Sequence, residues 1–507
     1  MRVLIVGGGT AGWMSALYLA RLIGVRQKLE IELIEAPDIG AIGVGEATIP
    51  TIRQTLRDLG ITEREFLLKT NGAFKQAVCF RDWLRPPMGG GSPSEYFHPF
   101  EVMSNEEIYS SCEYIRRTGG GDQSAYLRAG SRQYYSCVAN KAPLPLSRRA
   151  QSDRIGYAFH TDAILFGGLL REQAMASGVR RIEARVRGVE GDPEKGIRSV
   201  VLENGARREA DLYIDCSGFH RLLLQGCLGE VVESFSPWLP CNRAIAASAE
   251  YRQGEVIYPY TIAHAQSAGW IWDISLASRR GCGYVYSDSH ISDEQALASL
   301  ASYLNRPVEE LDARYIDMHT GVARHQWQGN CIAIGLAGGF IEPLESTGIA
   351  LIEMGIRCLI DHWPGYRPPE ALQAMKRGFN THMSGLYQEI LEFIVLHYRL
   401  SQRQDSAFWQ DLASLGVPDR LASRLELWRY KVPSEMELKL QFDQIFGLSS
   451  YISVIRGMCW GESGYSRYHD SRPTAELLAE IESRQARWKQ SASRLPGHAA
   501  YLLALRS

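Results

Sequence analysis

A glycine-rich turn directly after a short apolar segment constrains this chain more than any other feature. The segment Arg2 to Val6 has the apolar run of a buried strand, and Gly7 to Gly12 follows it with the spacing GxGxxG. A helical pattern, Trp13 to Leu22, comes next, and a second strand candidate, Glu30 to Ile34, leads to an acid, Glu35. This order of strand, turn and helix predicts an α/β fold with a dinucleotide at the turn. The alternative is a glycine-rich turn in an α/β protein that binds no dinucleotide.

The three glycines of the motif have separate roles. The first permits a tight turn, the second lets the backbone approach a pyrophosphate, and the third lets helix and strand pack closely. Glu35 stands about 20 residues further on, where an acid accepts a hydrogen bond from the adenosine ribose. The sequence therefore predicts that Gly7, Gly9, Gly12 and Glu35 contact a dinucleotide.

Length, charge and cysteine content narrow the remaining possibilities. With 507 residues, the chain is too long for one hydrophobic core and is expected to form two or three packed modules. A net charge of −2 gives no reason to expect nucleic acid or an anionic membrane as a partner. No segment has the ~20 uninterrupted apolar residues of a membrane span. The ten cysteines form no CxxC pair and no zinc-ligand spacing, which predicts no metal site and favours the reducing cytoplasm.

A later glycine-containing stretch joins a strand candidate, Cys331 to Ile334, to a helical pattern, Ile349 to Ile360. Thr347 and Gly348 stand where that helix begins, and the unpaired N–H groups of a helix start suit an anion. Glu345 places a carboxylate beside this start. The alternative interpretation is a loop that ends in an ordinary helix cap.

Two earlier stretches contain further candidates. Gly45-Glu46-Ala47 belongs to a second glycine-rich loop, Gly40 to Pro50, which suits either the ring end of a cofactor or a plain flexible connection. Lys75 has apolar neighbours in an alternating segment, Phe74 to Phe80, which predicts one strand. A partly buried lysine there would be reactive, whereas the alternative is a packed stem whose amine reaches water.

Aromatic residues form two notable groups. His98 and Phe100 lie in an aromatic cluster that suits either a stacking platform for an aromatic ligand or a plain core. Trp270 and Trp272 are two apart in a strand candidate, so both side chains are predicted on one face. They would line a cavity or pack on the core.

Together these motifs resemble those of the flavin-dependent tryptophan halogenase family along nearly the whole chain. The resemblance rests on the turn Gly7 to Gly12, GVGEATIP at Gly43 to Pro50, Lys75 after phenylalanine, the Trp270-x-Trp272-x-Ile pattern and Pro343 to Gly348. It implies an α/β, FAD-binding, Rossmann-like module of the flavin-monooxygenase type over residues 1–365, with a substrate-facing sheet inserted at about residues 75–300. A mostly helical C-terminal substrate module, residues 366–507, would follow.

The resemblance also implies a chemistry. Reduced FAD from a separate flavin reductase, with O₂, would oxidise chloride or bromide held near Thr347 and Gly348. The hypohalous acid would reach Lys75, which either hydrogen-bonds it or forms a haloamine. Glu345 would increase the reactivity of the oxidant and accept the proton that the aromatic ring loses. The residues implied to contact FAD are Gly7, Gly9, Thr10, Ala11, Gly12, Glu35, Gly45, Glu46, Ala47, Gly335 and Leu336.

The implied substrate site departs from that of the enzymes that act on free tryptophan. His98 and Phe100 match the family's ring-sandwiching pair, and Trp270 and Trp272 would wall off the tunnel. Gln441 replaces an acid, and Phe446 replaces a stacking tryptophan. Ser434-Glu435 stands near where a tyrosine pair is expected, and Asp273-Ile274-Ser275 replaces a motif that ends in Ile-Pro. The sequence therefore predicts a platform for an indole-type ring without the usual amino-acid clamp.

Two other functions are compatible with an FAD module. One is an aromatic hydroxylase, and the other is a non-catalytic FAD-binding protein. The pair Lys75 and Glu345 argues against both, because neither function needs a lysine that captures an oxidant. The preference between chloride and bromide stays open, as does a homodimer.

Overall fold

The computed structural model of the chain describes residues 1–38, 45–87, 93–146, 156–365, 368–439, 444–461 and 471–507. Backbone contacts divide the chain into two compact units, each assembled from three separate stretches. The first unit contains Met1–Asn71, Thr161–Ser236 and His319–Gln388; the second contains Gly72–His160, Pro237–Met318 and Glu389–Ser507. The family resemblance implied a different division, with an FAD-binding module over residues 1–365 and a helical substrate module over residues 366–507. That division stays a prediction.

The first unit is built on a six-stranded sheet that has the strand before the glycine turn in its interior. In spatial order its strands are Trp327–Gln328, Cys331–Ala333, Leu212–Asp215, Arg2–Val6, Glu30–Glu35 and Arg180–Glu183. Neighbouring strands are parallel except for the first pair. Residues Val3 to Val6 are almost completely buried, as expected for an interior parallel strand covered on both faces. The first two predicted strands are therefore confirmed.

The helix after the turn begins earlier than the pattern predicted. It starts at Thr10 because the Gly9 carbonyl already accepts a hydrogen bond from the Trp13 N–H at 3.1 Å. The α-helix Thr10–Tyr18 continues as a π-helix, Leu19–Ile23. The other strands of the unit are Glu46–Ala47, Val186–Asp192, Gly196–Leu202, Arg207–Arg208, Val232–Ser234, Gly321–Ala323 and Gly339–Phe340. Its other helices are Ile52–Asp58, Glu63–Lys69, Ala163–Ala176, Gly218–His220, Gly335–Ala337, Pro343–Glu345, Gly348–Asp361 and the first part of Pro369–Leu400.

A seven-stranded sheet forms the centre of the second unit. In spatial order its strands are Arg314–Asp317, Arg243–Glu250, Arg279–Tyr286, Gly269–Ser275, Thr261–Gln266, Ala77–Arg81 and Glu95–Pro99. A helix, Asp293–Leu304, packs Ala296, Leu300 and Leu304 on this sheet. Its start has the predicted capping box of Ser292 and Gln295. A short strand, Ala73–Lys75, pairs with Ala158–Thr161 in a separate antiparallel ladder.

Helices account for most of the second unit after residue 388, which confirms the helical tail predicted from the sequence. The helices of this unit besides Asp293–Leu304 are Asn105–Arg117, Ala125–Gly130, Arg132–Val138, Val308–Glu310, the last part of Pro369–Leu400, Ala407–Ser414, Asp419–Trp428, Glu435–Leu438, Leu448–Gly457, Thr474–Ser493 and His498–Arg506. Among the described helices, none has the length and apolar composition needed to cross a membrane.

A buried glutamate in the first unit makes stability depend on pH. Burial raises the pKa of Glu353 from 4.5 to about 7, against the opposing effects of a hydrogen bond from Thr51 and the positive charge of Arg357. The stability gained from the protonated carboxyl is full below pH 4.5 and is lost as pH rises through 7. We expect Glu353→Gln to reduce the wild-type loss of stability between pH 5 and pH 8 by about 3 kcal/mol. Urea unfolding at both pH values measures this, and an equal loss in variant and wild type would contradict the assignment.

Candidate active site

The glycine turn has the geometry that its spacing predicts. Gly7 has a φ of +116°, and a Cβ on it would lie 2.1 Å from the Cys216 carbonyl oxygen. A Cβ on Gly12 would lie 1.9 Å from the Gly7 carbonyl oxygen. No described atom lies within 4 Å of a Cβ built on Gly9, so the backbone there faces open space. The outer glycines are needed for packing, and the middle one leaves room for a ligand.

A second predicted cofactor segment lies against the helix that follows this turn. Gly335 has a φ of +71°, and a Cβ on it would come within 2.9 Å of the Ala11 Cβ. Leu336 is half-buried in the 3-10 helix Gly335–Ala337, just after the strand Cys331–Ala333. Thr10 opens the first α-helix, so Thr10, Ala11, Gly335 and Leu336 gather at the carboxyl edge of the parallel strands, where such folds bind ligands.

Glu35 is already held by side chains that the sequence analysis missed. Its carboxylate accepts a hydrogen bond from Trp13 Nε1 at 3.1 Å and forms a close ion pair with Arg181. Arg171 lies 3.8 Å from the same carboxylate. Glu35 pairs with Glu183 on the neighbouring strand, and Arg181 lies two residues before Glu183. This contact therefore follows from the pairing of the two strands, which the sequence alone does not reveal. The predicted contact of Glu35 with a ribose stays a prediction.

The second glycine-rich loop is described from Gly45 onward; Gly43 and Val44 lie outside the described residues. Gly45 has a φ of +149° and leads into the two-residue strand Glu46–Ala47. Glu46 keeps part of its surface exposed, yet burial of its carboxyl raises the pKa to about 7. This carboxyl is therefore partly protonated at neutral pH and is able to donate as well as accept a hydrogen bond.

The stretch around Glu345 differs from an ordinary helix cap. Glu345 is fully buried at the end of the 3-10 helix Pro343–Glu345, and Ser346 adopts a left-handed conformation with a φ of +60°. Thr347 is also buried and precedes the helix Gly348–Asp361 without capping it through its side chain. Within the described part of the chain, its Oγ1 has no hydrogen-bond partner.

The residue after Thr347 opens the following helix at an exposed position. Gly348 is exposed, and nothing described lies within 4 Å of a Cβ built on it. The helix that it opens has 14 residues, and its first N–H groups carry partial positive charge. A buried hydroxyl without a partner beside a helix start can bind an anion of small size.

Lys75 lies in the second unit at the end of the strand Ala73–Lys75 and is fully buried. Its Nζ lies 4.8 Å from the centre of the Phe100 ring. The single strand predicted for Phe74 to Phe80 was wrong, because the ladder is interrupted at Gln76. The Gln76 N–H donates to the Pro259 carbonyl, and its own carbonyl accepts from the Phe100 N–H, at 2.8 and 2.9 Å. This interruption fixes Phe100 close to Lys75.

His160 lies on the same sheet face as Lys75, because Lys75 pairs with Ala158 and side chains two apart share a face. Its Nδ1 lies 2.9 Å from the Ser275 carbonyl, so Nδ1 donates, and Nε2 lies 2.8 Å from the Thr261 hydroxyl. Burial, together with the positive charge of Lys75, holds the pKa of His160 well below 6.5. The imidazole therefore stays neutral.

The predicted aromatic platform contains one ring that the sequence analysis missed. The rings of His98 and Phe100 are 6.4 Å apart and nearly perpendicular. Phe446 lies 6.1 Å from His98 and stacks on Phe393 at 3.9 Å with an angle of 20°. Phe393 is also 5.5 Å from His98 and thus joins the two predicted residues.

Trp270 and Trp272 lie on one face of the strand Gly269–Ser275, as predicted, with ring centres 6.4 Å apart. A Cβ on Gly283, the residue paired with Trp272, would lie 2.1 Å from the Trp272 ring, so the glycine makes room for the indole. Asp273 points to the other face and forms a close ion pair with Arg280. Asp273, which belongs to the segment that differs from the family motif, is therefore the buried partner in a structural ion pair.

Neither of the two acids that follow Ser434 provides a free buried carboxylate. Gln441 itself lies outside the described residues. Ser434 caps the short helix Glu435–Leu438, and Glu435 is exposed. Glu437 completes the capping box, accepts from Trp428 Nε1 at 2.8 Å and forms a close ion pair with Lys431.

Comparison with known proteins identifies the family of the chain. The chain matches the family model described as tryptophan halogenase over residues 2–474. It is 33% identical over 479 residues to the tryptophan 6-halogenase SttH of Streptomyces toxytricini, which covers 90% of this chain and 89% of that protein. The solved structure of Tar14, a tryptophan C-6 flavin-dependent chlorinase from taromycin biosynthesis, has a TM-score of 0.91 at 34% identity, with full coverage of both chains.

A third relative has a broader description. BrvH, a flavin-dependent halogenase from Brevundimonas sp. BAL3, has a TM-score of 0.87 at 34% identity and covers 99% of each chain. The α/β, flavin-binding fold implied by the sequence motifs is thereby confirmed. The chain belongs to the tryptophan halogenase family, enzymes that use reduced flavin and a halide to halogenate aromatic rings.

Proposed function

We propose that this enzyme halogenates an indole-type ring, either in an indole or in a larger tryptophan-containing molecule, in preference to free tryptophan, through hypohalous acid captured at Lys75. The observation that carries the proposal is the buried Lys75 amine, 4.8 Å from the Phe100 ring. A buried amine is an unusual feature that a plain core does not need, because desolvating an ammonium is unfavourable. It suits a group that must meet a small oxidant away from other side chains.

The cofactor site is proposed at the two glycine-rich segments of the first unit. The open space at Gly9 and the close approach of Ala11 and Gly335 fit a pyrophosphate next to a helix start. Glu35 would orient the ribose, and Gly45, Glu46, Ala47 and Leu336 would contact the rest of FAD. Bound reduced FAD supplies, with O₂, the oxidising equivalents that convert a halide into hypohalous acid.

The halide is proposed to bind at Thr347 and Gly348. The Thr347 hydroxyl is buried and without a hydrogen-bond partner among the described residues, and Gly348 starts the following helix at an exposed position. Chloride and bromide both accept hydrogen bonds from hydroxyl and N–H donors. Either halide therefore fits the chemistry of this helix start.

Lys75 and Glu345 are proposed to carry the chemistry on the aromatic ring. The Lys75 ammonium would donate a hydrogen bond to hypohalous acid, or the neutral amine would form a haloamine. The ring passes through a cationic state, which the Glu345 carboxylate would stabilise before accepting the ring proton. Trp270 and Trp272 would line the path of the oxidant and keep it from the solvent.

Free tryptophan is predicted to be a poorer substrate than indole or a tryptophan inside a larger molecule, such as a short peptide. Gln441 and Phe446 replace the acid and the stacking tryptophan of the free-tryptophan enzymes, Glu435 is exposed, and Glu437 is used in structural contacts. An ammonium or carboxylate buried here without a partner is expected to cost several kcal/mol. We expect kcat/KM for free tryptophan to be about tenfold or more below that for indole. Both kcat/KM values are measured with the same reductase and the same halide. A kcat/KM for free tryptophan that is tenfold higher than that for indole would contradict the proposed site.

The overall proposal is tested with a panel of indoles, phenols and tryptophan peptides, each with a flavin reductase and either chloride or bromide. Halogenated products identified by mass spectrometry are expected for indoles when the reductase is present. NADPH without a reductase is expected to give no product, since one GxGxxG motif supplies one dinucleotide site. Product formation without the reductase would contradict the proposed need for a separate flavin reductase.

The cellular setting is proposed from the cysteines. All ten are free thiols, which suits the reducing cytoplasm. A homodimer is the assembly to be tested first by sedimentation of the purified protein.

A further inference from the structure

One helix contacts both the backbone and the ring of Phe446. Glu389 and Phe393 are four residues apart on the helix Pro369–Leu400 and therefore share a face. The fully buried Glu389 carboxylate accepts a hydrogen bond from the Phe446 N–H at 2.9 Å and a longer one from the Ile445 N–H at 3.4 Å. Phe393 stacks on the Phe446 ring at 3.9 Å.

We propose that Glu389 and Phe393 are positioning residues that hold Phe446 at two points and thereby fix the orientation of the aromatic-substrate platform. This inference rests on the proposed function, because it gives a role to the platform of His98, Phe393 and Phe446. A stacking residue contributes to selectivity only if its ring plane is fixed. Besides its contact with His98, the described contacts of Phe446 are those with Glu389 and Phe393 on this helix.

Phe393 supports the ring of Phe446 from one side. Phe393 covers one face of Phe446 and also lies 4.9 Å from Tyr451 and 5.5 Å from His98. Phe393 is fully buried, so it presents a fixed ring face to Phe446. The pair Phe393 and Phe446 is therefore expected to replace the single large ring of the free-tryptophan enzymes.

The surroundings of Glu389 make this contact sensitive to pH. Burial raises its pKa to about 7, and the negative charge of Glu392 acts in the same direction. The N–H groups of Phe446 and Ile445 and the positive charge of Arg420 oppose that effect. Two other groups complete the cluster. Arg424 pairs with Glu392 at 3.1 Å, and Tyr451 stays un-ionised because burial and the charge of Glu389 raise its pKa.

Deprotonated Glu389 accepts stronger hydrogen bonds than the protonated acid, since a bond to an ionised acceptor is charge-assisted. The platform is therefore expected to be better ordered at pH 8 than at pH 6. Indole has no group that titrates in this range, so its affinity reports the protein alone.

The test compares wild type with Glu389→Gln, which keeps the size of the side chain and replaces one acceptor with a donor. Calorimetric titration of indole into the FAD-loaded protein at pH 6 and pH 8 gives the affinities. We expect wild type to bind indole several-fold more tightly at pH 8. Glu389→Gln should bind about tenfold more weakly than wild type at pH 8, a loss of about 1.4 kcal/mol, with no dependence on pH.

Glu353→Gln is the matched control, because Glu353 is also buried with a pKa of about 7 and lies in the first unit. It should keep the wild-type affinity and pH dependence for indole. Phe393→Leu is the second variant and covers a failure of Glu389→Gln to fold. It should weaken indole binding while retaining the pH dependence, because Glu389 is unchanged.

Amide hydrogen exchange of a peptide that contains Ile445 and Phe446 tests the contact without any substrate. Exchange should be faster in Glu389→Gln than in wild type at the same pH. Equal exchange in the two proteins overturns the two-point contact, and unchanged indole affinity overturns its role in binding. A wild-type protein that binds no indole contradicts the proposed substrate class, while the exchange comparison still decides the contact.

Discussion

Lys75→Ala is expected to abolish halogenation while leaving the oxidation of reduced flavin by O₂ intact. Lys75 is fully buried beside Phe100 in the second unit, whereas the glycine-rich segments proposed to hold FAD lie in the first unit. The variant would therefore still consume reduced flavin but would lose the amine that captures hypohalous acid. We expect product formation to fall at least about 10³-fold, or ~4 kcal/mol of barrier.

A matched variant separates loss of the amine from loss of packing. Lys75→Met keeps most of the buried stem and removes only the charge and the donor, so it should be as inactive as Lys75→Ala. Both variants should oxidise reduced flavin at the wild-type rate, and hypohalous acid should become detectable in solution with a chlorination-sensitive dye. Product formation above a tenth of the wild-type rate in either variant would remove Lys75 from the mechanism.

Glu345→Gln is expected to slow halogenation by well over tenfold. The neutral amide has the shape of the carboxylate but neither stabilises a cationic ring nor accepts its proton efficiently. A loss of tenfold corresponds to about 1.4 kcal/mol, and a base that also stabilises charge should contribute more than this. Steady-state kcat with indole under saturating halide and reductase measures the loss.

An isotope experiment tests the role of Glu345 as the base. In Glu345→Gln, removal of the ring proton should become rate-limiting, so deuterated indole should react more slowly than ordinary indole. Wild type should show little isotope effect. Glu353→Gln should also show little, because it replaces a buried glutamate in the following helix and leaves Glu345, the proposed base, unchanged. A loss of activity below tenfold with no isotope effect would contradict a central role for Glu345.

The elements that local chemistry determines could be predicted from the sequence. The glycine spacing predicted a turn in which Gly7 and Gly12 have no room for a side chain, and the structure has this geometry. The capping box at Ser292 and the shared face of Trp270 and Trp272 follow from short-range rules and were confirmed. The contact of Gly12 with Gly7, the capping box and the tryptophan pair lie within a few residues or within one regular strand, whereas Gly7 meets Cys216 at the end of a neighbouring strand.

Contacts between distant segments could not be predicted in the same way. Phe393 and Glu389 lie in a 32-residue helix whose pattern indicates a buried face but not its partner. Their contacts with Phe446 cross more than fifty residues of sequence. The interruption of the strand at Gln76 comes from its backbone hydrogen bonds with Pro259 and Phe100, which lie outside regular strands and are distant in sequence. Such contacts depend on tertiary packing, which local patterns do not specify.

In the proposed mechanism, a halide-derived oxidant captured at Lys75 is delivered to an aromatic ring. The most direct measurement is the mass of the product formed from indole by wild-type protein, reductase and O₂, with chloride and then bromide as the only halide. We expect a product that carries the isotope pattern of the halogen supplied, and no such product from Lys75→Met. A hydroxylated product that forms equally well without halide would contradict it.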